Sequence, residues 1–189
     1  VLHVRGAVVG SSAITSSITR SFEDVKFAKG WARYRVTMDG ISYYEEERIR
    51  VKEVKNGVEA WRLESSYEMA GVKYESIVWY RIPDNYPFYY EVNTYRGNTR
   101  LSHTEGPVVH GVPMGSVPVE KSTYVGTETV TVPAGTFECM RFELSRGGST
   151  VIYWFSGEVP VTSIVKSVFR SSEGKSYTKE LVDYGFVGG

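Results

Sequence analysis

The chain has 189 residues, with 22 basic and 22 acidic side chains balanced to a net charge of zero. That balance argues against a nucleic-acid or anionic-membrane partner, since either wants a basic excess, and no apolar run is long enough to span a bilayer as a helix. Fourteen Tyr, eight Phe and four Trp among many Val and Thr make a β-rich composition, on a length that suits one domain.

Gln is absent, Asn occurs four times and Cys once, at Cys139. The single cysteine excludes an internal disulfide. The depletion of thermolabile residues beside many Glu, Arg and Lys suggests a hyperthermophilic source. The chain starts at Val1 rather than Met. A removed secretory signal would explain that and would place the chain outside the cell or on its surface.

Residues 1–20 are small, apolar and Ser/Thr-rich, with no helix start signal before Ser11. They form an N-terminal extension whose apolar positions Leu2, Val4, Val8, Ile14 and Ile18 suit an extended strand. That strand either belongs to the chain's own sheet or completes a neighbouring copy's sheet by strand addition. Residues 21–189 then read as a single β domain: a front meander over 21–105, a loop over 106–118 and a C-terminal half over 119–189.

The front meander runs from Trp31 to Ile82 as four strands joined by tight turns. Asp39-Gly40 is a strong two-residue hairpin signal. It pairs Met38 with Ile41, Val36 with Tyr43, Tyr34 with Glu45 and Ala32 with Glu47. At Asn56-Gly57 two registers compete. A two-residue loop sets Trp61 opposite Lys52; a three-residue loop, Lys55-Asn56-Gly57, sets Trp61 opposite Val51 and Leu63 opposite Ile49. The second pairs apolar with apolar and is the expected one. Ala70-Gly71 pairs Met69 with Val72, Tyr67 with Tyr74, Leu63 with Val78 and Trp61 with Tyr80. The inner face so defined carries Val36, Met38, Ile49, Val51, Trp61, Leu63, Val78 and Tyr80.

Pro83 to Pro87 is a turn, Phe88 to Tyr95 a strand, and Leu101 to His110 a weak continuation. Pro107, Gly111, Pro113, Gly115 and Pro118 mark the loop. Beyond Val119 come a strand, a Pro133-Ala134-Gly135 turn and a second strand ending near Leu144. Gly147-Gly148 turns into Val151–Phe155, then Gly157 to Pro160 breaks the chain before Ile164–Arg170 and Tyr177–Tyr184. About ten short strands with turn signals between them predict an all-β fold. Its antiparallel meander sheets would form a sandwich, barrel or half-barrel, with at most one short helix.

The phrase TVTVPAGTFEC from Thr129, followed by YWFSGEVPVTSIVK from Tyr153 and ELVDYGF from Glu180, resembles a family of uncharacterised secreted β-proteins. These are related in pattern to the curved-sheet lipoprotein carriers of the LolA type. Lys29-Gly30-Trp31 running into Tyr34 and Val36 matches their opening. The resemblance implies an antiparallel half-barrel whose concave face holds an acyl chain.

One constellation stands out. The register puts Glu45 and Glu47 on the inner face, Glu45 in a row with Tyr34, Tyr67 and Tyr74, and Glu47 in a row with Ala32, Ser65 and Ser76. A buried carboxylate without a partner is costly. So this pair either forms a site for a ligand or ion, faces a wet opening, or meets an arginine such as Arg141 or Arg81. His3, His103 and His110 lack the spacing of a helical metal site, Cys139 alternates with Phe137 as a core thiol, and no phosphate loop, calcium loop or N-linked sequon occurs. No cofactor, metal or catalytic residue is expected.

Three functions remain. The first expectation is a non-enzymatic, extracellular or cell-surface structural protein that assembles with itself through its N-terminal strand. The alternative is a monomeric or dimeric module binding an apolar or acyl ligand on the concave face. A hydrolase using Glu45 and Glu47 comes third.

Overall fold

A computed structural model of the chain describes residues 27–82, 86–108 and 123–187. The N-terminal extension, with Leu2, Val4, Val8, Ile14 and Ile18, lies outside these residues, as do His3, His110 and most of the expected loop.

Eleven strands follow one another: β1 Gly30–Met38, β2 Ile41–Lys55, β3 Val58–Met69, β4 Val72–Arg81, β5 Tyr86–Arg96, β6 Thr99–Pro107, β7 Thr123–Val132, β8 Gly135–Arg146, β9 Ser149–Phe155, β10 Ile164–Arg170 and β11 Ser176–Phe186. No helix occurs among the described residues. All strands belong to one antiparallel sheet in the order β6-β5-β4-β3-β2-β1-β11-β10-β9-β8-β7. The sheet is open, with β6 and β7 at its edges, so of the three expected architectures the half-barrel is the one adopted. Strand β1 sits at the middle, paired on one side with its sequence neighbour β2 and on the other with β11.

The turns explain the regularity. Asp39-Gly40, Asn56-Gly57, Ala70-Gly71 and Gly147-Gly148 all have positive φ at both positions, the backbone twist that two-residue hairpins favour. The first and third hairpins have the expected register. The second is corrected. Lys55 pairs with Val58 and Trp61 with Lys52, so the loop has two residues, not three. A β-bulge between Ile49 and Lys52 then absorbs one extra residue, and Leu63 meets Ile49 as expected. Val51 falls in the bulge and is 41% exposed rather than inward. The Pro133-Ala134 turn is also shorter than expected, because Gly135 already pairs with Val132.

The two sides of β1 repeat each other. Strands β2–β6 and β7–β11 are five-strand meanders laid out in the same order. Arg62 on β3 lies opposite Trp79 and Glu64 opposite Ile77; on β8, Arg141 lies opposite Trp154 and Glu143 opposite Ile152. Glu53 and Glu128 each pair with the residue two before that arginine, Ala60 and Cys139. The Trp79 indole donates to Glu53 at 2.5 Å, and the Trp154 indole donates to Glu128. Each half also carries its bulge opposite the arginine, at Arg50-Val51 and at Val125-Gly126. These boxes stand on the outer face, since Val78, Tyr80, Tyr153 and Phe155 beside the two tryptophans point into the core.

The core lies on the concave side. Ala32, Tyr34, Val36, Ile49, Leu63 and Val78 of one half meet Phe142, Phe155, Val165 and Leu181 of the other. The β9–β10 connection folds over this face: Val159 and Val161 are almost wholly buried, and Val161 forms a bridge with Ala28. Val161 has φ 68° and Ser163 φ 60°, a backbone that a β-branched residue adopts only when its surroundings force it. The chain is tight here. A Cβ on Gly30 would stand 2.6 Å from both the Gly185 carbonyl oxygen and the Pro160 Cβ.

Candidate functional site

Strands β1, β2, β3 and β11 bring the predicted pair to one point of the concave face. Glu45 and Glu47 are two apart on β2 and so share a face. Between them stands Lys179 of β11, which donates to Glu47 at 2.5 Å and to Glu45 at 3.2 Å. Neither Arg141 nor Arg81 is the counter-ion. Arg141 is held on the outer face by Glu143 and Trp154, and Arg81 stands over the Tyr86 ring. Thr162, carried by the strained β9–β10 connection, donates to Glu47 Oε2 at 3.1 Å, and Ser65 donates to Glu45 Oε1 at 2.9 Å. The Lys179 ammonium also lies 4.2 Å from the centre of the Tyr34 ring, a cation–π contact in a desolvated place.

Burial sets the electrostatics. Lys179 and Glu47 side chains are each 8% exposed and Glu45 14%. Burial alone would push the Lys179 ammonium down, but Glu45 and Glu47 together outweigh it and hold its pKa well above the ordinary value. Burial pushes the Tyr34 phenol far up, and the Glu47 charge adds to the shift. Tyr34 is wholly buried and donates to the Ile164 carbonyl at 3.0 Å, so it acts as a tie between halves of the sheet, and no ligand reaches it.

Tyr67 and Tyr74 do face the opening. Their rings stack at 4.7 Å, and the Tyr67 ring lies 4.7 Å from Tyr43. All three are half-buried, as is Tyr177 of β11. Burial pushes the Tyr43 phenol up to about 12, with Glu45 adding to it. Burial likewise raises Tyr67 and Tyr177. The pleat then carries this face outward to Met38, Met69 and Val72, half-buried, and to Ile41, 58% exposed.

From floor to rim the site is therefore a buried ion triad, a tyrosine ladder and an apolar margin. Lys179, Tyr43, Tyr177 and Thr162 are the members that the sequence reading missed. The alternation of Tyr177, Lys179 and Leu181 on the last strand was the available signal for Lys179, since it places a lysine among inward positions.

Elsewhere, Cys139 is fully buried, and burial pushes its thiol up to about 11. His103 shares a hydrogen bond with Asn93 Oδ1 at 2.8 Å on the outer face. Among the described residues, no group of three or more His, Cys, Asp or Glu is placed to hold a metal ion, and no helix is long and apolar enough to cross a membrane.

No protein-family model and no curated protein sequence matches this chain. Solved structures do. MucB aligns with a TM-score of 0.53 at 11% identity, covering 95% of this chain and 60% of MucB. MucB in complex with MucA(peri) gives a TM-score of 0.50 at 11% identity, over 93% of this chain and 56% of that one. A chain solved as an outer membrane lipoprotein-sorting protein domain from Vibrio parahaemolyticus covers 92% of this chain at 10% identity, but its TM-score of 0.28 is too low to carry weight. At such identities the likeness is one of fold alone. This chain spans about 60% of MucB's length.

Proposed function

We propose that the protein is a binding module that holds an elongated apolar ligand against the concave face of its front meander. The observation that carries this is the incomplete filling of that face. Around β1, β10 and β11 the β9–β10 connection covers the concave side with the chain's own valines. Over β2–β4, Tyr43, Tyr67, Tyr74, Met69 and Val72 remain half-open. A row of aromatic and aliphatic side chains beside a few polar groups is the usual make-up of a ligand site. The half-barrel resemblance read from the sequence supports the same use, and a protein of this fold, MucB, is seen with MucA bound. The reading fits a chain working outside the cell or in its envelope, and it assigns no catalytic step.

The test uses N-phenyl-1-naphthylamine, a neutral dye that brightens in apolar sites. Saturable binding is expected, weakened about tenfold by Tyr67→Ser and unchanged by Tyr44→Ser on the opposite face. Absence of saturable binding, or equal effects of the two substitutions, would sink the proposal.

A second reading, assembly by strand addition, is supported by the open sheet. Among the described residues, β6 and β7 each pair on one side only, and such edges accept further strands. Assembly through the N-terminal extension predicts that removing residues 1–20 leaves monomers by light scattering. Identical mass distributions with and without the extension would exclude it.

A further inference from the structure

We propose that the ligand of this concave site is a cationic amphiphile, with an ammonium head seated at Glu45 against the Tyr43 ring and an apolar chain running out to the rim. This rests on the concave-face reading above and adds to it the sign of the ligand's charge.

Charge is the first argument. Two carboxylates face one ammonium in the triad, so its floor carries one negative charge in excess. The buried oxygens are engaged: Glu47 Oε1 by Lys179, Glu47 Oε2 by Thr162, and Glu45 Oε1 by both Lys179 and Ser65. Glu45 Oε2 receives no hydrogen bond from any described residue, and Glu45 is the more open of the two carboxylates at 14% exposure. One acceptor therefore points to the wet side of a floor in want of a cation.

The aromatic setting is the second. Glu45 pairs directly across the strands with Tyr67, whose ring is flanked at 4.7 Å by both Tyr43 and Tyr74, which leaves Tyr43, on the same strand as Glu45, as the end ring of the stack. Ring faces attract an ammonium ion, more so where water is thinned. The cluster already holds one ammonium this way, Lys179 at 4.2 Å from the Tyr34 ring. The apolar margin of Met38, Ile41, Met69 and Val72 supplies the third argument, because a bare metal ion or a polyamine would leave it unused. A fatty-acid carboxylate would instead bring like charge to Glu45.

The experiment is displacement of N-phenyl-1-naphthylamine by dodecylammonium, dodecanol and dodecanoate, each below its micelle concentration. Dodecylammonium is expected to displace the dye at a concentration about tenfold lower than dodecanol, the scale of one desolvated cation–π and ion contact, with dodecanoate weakest. Glu45→Gln should erase the difference between ammonium and alcohol. Tyr43→Leu, which keeps the triad intact, should shrink the same difference and serves if Glu45→Gln fails to fold. Equal displacement by all three probes, a preference for dodecanoate, or an ammonium preference untouched by both variants overturns the charge assignment and leaves the concave site standing. Failure of every probe, the neutral dye included, overturns both.

Discussion

Lys179 shows how much one side chain decides. It is the sole described cation within reach of two buried carboxylates. Replacing it with methionine strands both charges, and breaking a buried pair by removing one partner costs about 3–5 kcal/mol. Chemical denaturation of Lys179→Met should show that loss at neutral pH. Gly30 is constrained by space. Its Cβ would meet backbone and proline ring at 2.6 Å, neither of which can swing aside, so Gly30→Ala should lower stability by about 1–3 kcal/mol in thermal unfolding. The opposite sign is expected at Ala70, which holds φ 52° in an exposed turn. Asparagine tolerates that conformation better than alanine, and Ala70→Asn should raise the denaturation midpoint, by about 0.5–1 kcal/mol in free energy. The inward placement of Glu45 and Glu47 was legible because turn chemistry and period-two alternation fix a hairpin's faces locally. Their counter-ion was not, because Lys179 lies 132 residues away from Glu47 in sequence and nothing local announces which distant strand will close the sheet.

At the level of elements, the bulges matter most. The sequence reading placed the extra residue of the second hairpin in the turn, because pairing Val51 with Trp61 seemed the apolar choice. The chain places it in the strand instead. Asn56-Gly57 keeps the favoured two-residue turn, and the bulge restores Ile49 to Leu63. Both registers agree beyond the bulge, which is why the inner pair of glutamates was placed correctly through a mistaken loop. The internal repeat was also within reach: Arg62-Leu63-Glu64 with Ile77-Val78-Trp79 echoes Arg141-Phe142-Glu143 with Ile152-Tyr153-Trp154. The hairpins differ in length, however, and hide the match from a fixed-period scan. If the two boxes do the same work, Trp79→Phe and Trp154→Phe should each cost about 1–2 kcal/mol through the lost indole-to-carboxylate bond. The double variant should add to within about 0.5 kcal/mol, since the boxes share no partner. Strong non-additivity in denaturation would mean the halves are coupled through the sheet.

Across the whole molecule, the phenols and the lysine of the concave face set the response to alkali. Tyr34, Tyr43, Tyr177 and Lys179 all have pKa values raised on folding. Groups so shifted contribute stability that is whole below their unfolded pKa, near 10, and is lost as pH rises through the folded values. Stability should therefore hold through neutral pH and fall from about pH 10 upward. Tyrosinate absorbance from the buried phenols should appear together with loss of the near-ultraviolet circular dichroism signal. On the acid side, Glu180 is opposed by burial, yet Arg35 and Lys166 hold its carboxyl below the usual range. Its share of stability is present above about pH 4.5 and is lost as pH falls. An all-β, turn-rich fold could be read from composition and turns. The choice among sandwich, barrel and half-barrel could not, because it depends on β1 pairing with β11, a contact between opposite ends of the described chain.

That pairing has a consequence in time. A ribosome makes β1 well before β11, and synthesis runs at about 5–20 residues per second. For several seconds the front meander can pair locally, through hairpins that need no distant partner. Throughout that interval one edge of β1 is bare, and Glu45 and Glu47 face inward with no lysine to meet them. The nascent half is thus kept from settling into a dry core until β11 emerges, and the strand that seals it is the last of those described.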